Sequence, residues 1–208
     1  MTWAPQLEAV ARIASSEERI AQYTRLLEHA LHDTPSASLP SLVRTYVDGA
    51  VLDPVNTTGA GLLVGRHMLA HLATQLAAAH IPANILCAIV SDTLATCEAS
   101  SIMGDDELGP WRVLLAEQYA SLSRWRDAAQ ALQSITPHAA RRIPQLSFAQ
   151  LCVRVVELWL HDLPSHVAEA EQADELDVVQ RWLARWAQQS GTTLPELFLV
   201  RVSAQEIA

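Results

Sequence analysis

The side chains with the most chemical potential in this 208-residue chain are two histidines, His67 and His71, four residues apart. On a helix that spacing turns both imidazoles to one face, where they could share a zinc ion. A metalloenzyme would need more. No glutamate follows the first histidine as a general base, no His-x-His occurs, and no Glu is followed three residues later by His, which removes the di-iron bundle pattern. His29 and His32 have a spacing less suited to chelation. Asp105-Asp106-Glu107 could form an acidic nest, but carboxylates at a helix start are favoured by the helix dipole with no ion present. Arg124, Trp125 and Arg126 could stack on a ligand, and Arg141-Arg142 could grip an acidic partner. The plainer readings are a packed Trp125 and a solvated arginine pair. Neither a G-x-S-x-G turn, a phosphate-binding glycine loop nor a nucleophilic Cys/His arrangement is present. The reading is a non-enzyme with no catalytic, cofactor-binding or metal-ligating residues.

Charge and composition narrow the partners. A formal charge of −9 opposes nucleic-acid binding, because neutralising phosphates requires clustered cations. All fourteen basic residues are arginine, so lysine chemistry is unavailable. Cys87, Cys97 and Cys152 are odd in number and isolated, which fits reduced core thiols of an intracellular protein. The start, MTWAPQLEAV, lacks the basic and long apolar regions of a leader peptide, and no uncharged run is long enough to span a membrane. The sequon at Asn56-Thr57-Thr58 is therefore expected to stay unmodified.

The elements that must carry these residues all read as helices. Half the residues are hydrophobic and only seven are glycine. Ser15 with Glu18 forms a capping box that opens a helix to about Leu31, with Ile20, Tyr23, Leu27 and Ala30 facing inward. Leu39, Leu42, Val43, Tyr46, Val47 and Ala50 mark the next helix, stopped by Asp53-Pro54. A helix from about Gly61 to Ala79 buries Met68, Leu69, Leu72 and Leu76. After Pro82 another carries Ile85, Leu86, Ile89 and Leu94. Phe148 to Leu160 is apolar on several sides (Leu151, Val153, Val155, Val156, Leu158, Leu160), which predicts cover on both flanks. No strand alternation stands out.

The stretch LLAEQYASLSRWRDAAQALQSITP, ending at Pro137, reads as a helical hairpin of the tetratricopeptide type. Leu115, Ala116 and Tyr119 share one face of its first helix. Trp125, Ala128 and Leu132 recur at helical spacing on the second, with Ser123 expected as N-cap between them. Tyr119 and Ala128 are nine residues apart, as are Trp159 and Ala168, and the second pair follows the first by 40 residues. These eight positions form the predicted core of an all-α, right-handed superhelical array of antiparallel helix pairs. Tyr119 and Trp125, read as buried rings, should each cost about 3–5 kcal/mol on truncation to alanine.

Four segments, in this order and spacing, carry a family resemblance: Ile20 to Glu28 (IAQYTRLLE), Gly65 to Leu69 (GRHML), the hairpin above, and VVELWLHDLPSHVAEAEQA. Across roughly Ser15 to Ala173 the chain resembles the subunit four family of the constitutive photomorphogenesis signalosome, and a paralogous subunit of the proteasome regulatory lid shares that construction. The resemblance implies a non-catalytic scaffold arm, with other signalosome subunits and a cullin-RING ligase as partners, in cytoplasm and nucleus. It further implies that deneddylation chemistry belongs to a different, zinc-bearing subunit. The division drawn is a helical-repeat arm over 1–175 and divergent helices over 176–208, where the family's winged-helix module is expected to be missing. The rival readings are a proteasome-lid scaffold and a stand-alone helical metal-binding protein.

Overall fold

A computed structural model describes residues 3–143, 146–162 and 169–190. The fold is all-α. Its elements are α1 (Ala4–Ala11), α2 (Ser16–Asp33), α3 (Leu39–Tyr46), α4 (Pro54–Thr57), α5 (Leu62–Ala78), α6 (Ala83–Ser100), α7 (Asp105–Ser121), α8 (Trp125–Gln133), α9 (Pro137–Ala140), α10 (Phe148–Asp162) and α11 (Glu169–Ser190). No strand occurs among the described residues. The chain forms two compact units, residues 1–118 and 119–208. The division expected after residue 175 falls inside α11, which runs through that point without a break.

In the first unit Ser15 caps α2 by accepting the Glu18 backbone N–H, as its capping box predicts. The inward face differs in one place. Tyr23, Leu27 and Ala30 are buried, but Ile20 is only half-buried, and the aliphatic stem of Arg19 takes the inner position. Helix α2 packs on α5 and α3 packs on α6, so the α2/α3 pair lies against the α5/α6 pair with like element on like. This is how stacked helix pairs bury a face that neither pair could bury alone.

Between α3 and α4 the chain widens into a π-helical turn, Val47–Val51, which closes with the Leu52 N–H on the Val47 carbonyl. A π turn disrupts the ordinary i→i−4 ladder, so its carbonyls need other donors. Tyr23 donates its hydroxyl to the Gly49 carbonyl, and Asn56 donates Nδ2 to the Ala50 carbonyl at 3.0 Å and to the Tyr23 hydroxyl at 3.1 Å. Tyr46 packs edge-on against Tyr23. Asn56 is fully buried, so the sequon cannot carry a glycan in this fold.

Glycine lets α5 reach this turn. A Cβ on Gly65 would stand 2.6 Å from the Val51 carbonyl oxygen and 2.7 Å from that of Asn56. One on Gly61 would stand 1.8 Å from the Val55 carbonyl oxygen. These are backbone atoms and cannot swing aside.

In the second unit α10 packs on both α8 and α11, the two-sided cover predicted for it. Leu151, Val155, Val156 and Leu158 are buried accordingly, whereas Val153 and Leu160 remain exposed. The turn entering α8 corrects the expected cap. Arg124 donates its N–H to the Tyr119 carbonyl and Ser123 donates to that of Ala120, with Ser123 at φ 57°. This is a Schellman closure of α7, with Ser123 in the left-handed position usually given to glycine. The N-cap of α8 is Arg124, which makes no side-chain cap bond. Ser123 serves the end of one helix instead of the start of the next.

Candidate functional site

Of the positions read as repeat core, Leu115, Ala116, Ala128, Leu132 and Trp159 are buried. Tyr119 and Trp125 are corrections: both are only half-buried. They flank the tight turn at the helix ends, where a ring lies along the rim of the core. The Arg124 guanidinium covers the Tyr119 ring at 4.4 Å from its centroid, and Trp125 stacks on His161 at 5.0 Å with the planes 29° apart. Arg126 lies 5.8 Å from the centroid of Trp159. Residues Trp125 and Arg126 of α8 thus meet His161 and Trp159 of α10 through rings and cations. Ala168 lies outside the described residues, as does the end of the chain after residue 190.

Several of the candidate residues are engaged in local contacts. His67 is exposed and His71 half-buried, and no group of three potential metal ligands converges among the described residues. His29 and His32 both reach Asp33, at 3.0 and 3.1 Å. The acidic run at the start of α7 is occupied. Glu107 accepts the Gly104 N–H at 2.9 Å and pairs with Arg66 at 3.0 Å, while Asp105 pairs with Arg112 at 3.1 Å. Cys87, Cys97 and Cys152 are buried thiols outside any disulfide, and burial pushes the Cys97 and Cys152 thiols up to about 11. Such thiols stay protonated at neutral pH and are poor nucleophiles.

What the arrangement can do is hold helices in register. Arg44 grips both carboxylate oxygens of Asp92, at 3.0 and 3.2 Å, and also Asp48, tying α3 to α6. The Asp92 and Asp48 carboxylates raise the Arg44 pKa further above its already high range. Arg66 ties α5 to α7, and Arg112 bridges Glu98 of α6 and Asp105 of α7. An arginine suits this, since its planar guanidinium sends separate donors to two carboxylates at once, as Arg44 and Arg112 do, where lysine offers a point charge.

No protein-family model matches the chain. Over 176 residues it is 29% identical to COP9 signalosome complex subunit 4 of Caenorhabditis elegans, a match covering 79% of this chain and 41% of that protein. It has a distant signalosome-subunit relative. The chain spans about two-fifths of that relative's length.

The fold gives physical roles to the segments that carried the resemblance. In IAQYTRLLE, Tyr23 and Leu27 are core, and Tyr23 fixes the π turn. In GRHML, Gly65 permits backbone approach, Arg66 forms a strap to Glu107, and Met68 and Leu69 are fully buried. Three contributors escaped the sequence reading. Trp111 is fully buried inside α7 directly after Pro110, Asn56 anchors the π turn, and the arginine straps join helices distant in sequence. A bulky ring next to a helix-interior proline was the available signal for Trp111. Nothing local distinguishes Asn56.

The described residues also shape two grooves. One, in the first unit, has a volume of about 520 Å³ with Trp3 and Asp33 on its walls. The other, in the second unit, is about 390 Å³ and is walled by Phe148 and Trp182.

Proposed function

We propose that this chain is a non-catalytic scaffold subunit of a signalosome-like complex, supporting cullin deneddylation by docking other subunits and a cullin-RING ligase. The observation that carries the reading is the extended match to a signalosome subunit. The like-on-like stacking of α2/α3 and α5/α6 supports it. A scaffold needs rigid, exposed helical walls, and buried thiols and carboxylates engaged in helix straps suit that better than turnover. Cytoplasm and nucleus are the compartments that go with this role, and neither nucleic acid nor membrane is among the proposed partners. No helix among the described residues is long and apolar enough to cross a membrane.

The test is affinity capture of the tagged full chain from its native cells, with mass spectrometry of the partners. Signalosome subunits should co-purify in near-stoichiometric amounts. Recovery of proteasome-lid subunits instead would move the scaffold to that complex. Recovery of neither, together with stoichiometric zinc abolished by His67→Ala and His71→Ala, would replace the scaffold by a metal-binding helical protein.

A further inference from the structure

The groove of the second unit has walls from three places in the chain. Gln133, Thr136 and Pro137 come from the end of α8 and the turn into α9, Phe148 from the first residue of α10, and Trp182 and Arg185 from α11. Its floor is aromatic, with the Phe148 and Trp182 rings 6.4 Å apart and tilted by 46°. Arg185 lies with its guanidinium 4.9 Å from the Trp182 centroid, a cation–π contact that leaves its N–H donors for a further acceptor.

Two donors here lack acceptors among the described residues. Arg124, Arg154 and Arg181 of this unit each pair with a carboxylate three or four residues away, whereas Arg185, although exposed, pairs with none among the described residues. Gln133 Nε2 is buried and has no hydrogen-bond partner among the described residues. A buried amide donor without an acceptor is costly, and a ligand oxygen would relieve that cost. A cation on an aromatic wall beside an unsatisfied donor has the complement of a carboxylate with an apolar neighbour.

We propose that this groove docks an acidic, leucine-flanked segment of a partner protein. Its carboxylate bonds to Arg185 and Gln133 Nε2, and its apolar neighbour covers Phe148 and Trp182. The proposal deepens the scaffold reading, on which it rests for the partner being a protein. Because the chain carries a formal charge of −9, a uniformly acidic partner is repelled at long range. Recognition therefore requires local apolar burial together with charge.

The experiment uses the full chain and a fluorescein-labelled peptide of alternating glutamate and leucine, with its glutamine-for-glutamate twin as the neutral probe, read by fluorescence polarisation. The acidic peptide should bind at least about tenfold more tightly than the neutral one. Arg185→Glu should remove that preference, and Gln133→Met, which keeps the shape and deletes the donor, should weaken the acidic peptide several-fold. Arg181→Glu, one turn away on α11, should leave it unchanged. Unaltered helical circular dichroism and unfolding midpoints confirm that each variant is folded. Equal binding of the two peptides, or an Arg185→Glu chain that binds the acidic peptide like the native one, overturns the proposal. A native chain that prefers the acidic peptide yet captures no signalosome subunit sinks the scaffold reading and leaves the groove. Subunit capture with indifferent peptide binding sinks the groove alone.

Discussion

The two units solve the same problem of joining helices with opposite means. In the first, α5 is pressed backbone-to-backbone against the π turn and α4, and a buried tyrosine–asparagine network caps the freed carbonyls. In the second, α8 and α10 meet at their edge through rings and guanidinium groups, with half-buried Trp125 on exposed His161 and Arg126 near the buried Trp159 ring. Backbone approach is intolerant because carbonyl oxygens have no alternative rotamer. Stacked rings at a rim can slide or be replaced at modest cost. A chain built this way keeps one part geometrically fixed and leaves rings and guanidinium groups at the rim of the other.

The largest effect should come from the glycine contact. Gly61→Ala puts a methyl group 1.8 Å from the Val55 carbonyl oxygen, so α4 must move away from α5. The expected loss is about 3 kcal/mol or more in denaturant unfolding, at the upper end for overpacked sites. A native-like midpoint would show that the first unit is not limited by backbone approach.

The second unit sharpens the contrast with two tryptophans. Trp159→Ala removes a ring that is 7% exposed and should cost about 3–5 kcal/mol. Half-buried Trp125→Ala should cost roughly 1–2 kcal/mol, from the share of its apolar surface that is covered. Equal losses for the two would mean that the rim stack is as firmly packed as the core.

Next comes the polar network. Asn56→Ala leaves the Ala50 carbonyl without its side-chain donor and should destabilise by about 1–3 kcal/mol. Hydrogen exchange should quicken in the π turn before it does in α6. A uniform loss of protection across the unit would show that Asn56 has no local role there.

The smallest effect runs in the other direction. Ser123 is exposed and held at φ 57°, a conformation glycine adopts without strain. Ser123→Gly should therefore raise stability by about 0.5–1 kcal/mol by thermal unfolding. A loss would show that the serine side chain contributes to the turn after all.

Much of the architecture was legible because helical periodicity is a local property. Tyr23, Leu27, Met68, Leu69, Leu72, Ala128 and Leu132 recur at helical spacing and are all buried. The capping box at Ser15 needed only four residues to be read. The failures have one kind of cause. Tyr119, Trp125 and Ser123 were assigned by pattern, but their environments depend on a turn whose hydrogen bonds close backward onto α7. Arg19 displaced Ile20 because the inward-facing angle of a helix is set by what it packs against.

By itself the sequence determined that this chain is helical, where most helices start and stop, and which small and large apolar residues form their inner faces. These follow from local propensity, capping and spacing, which act within a few residues. Only the tertiary structure decided that a π turn carries the first unit's polar lock, that Gly61 and Gly65 are points of closest approach, and that Arg185 and Gln133 share one groove. Those relations join residues far apart along the chain, and their energies exist only once the helices have been brought together.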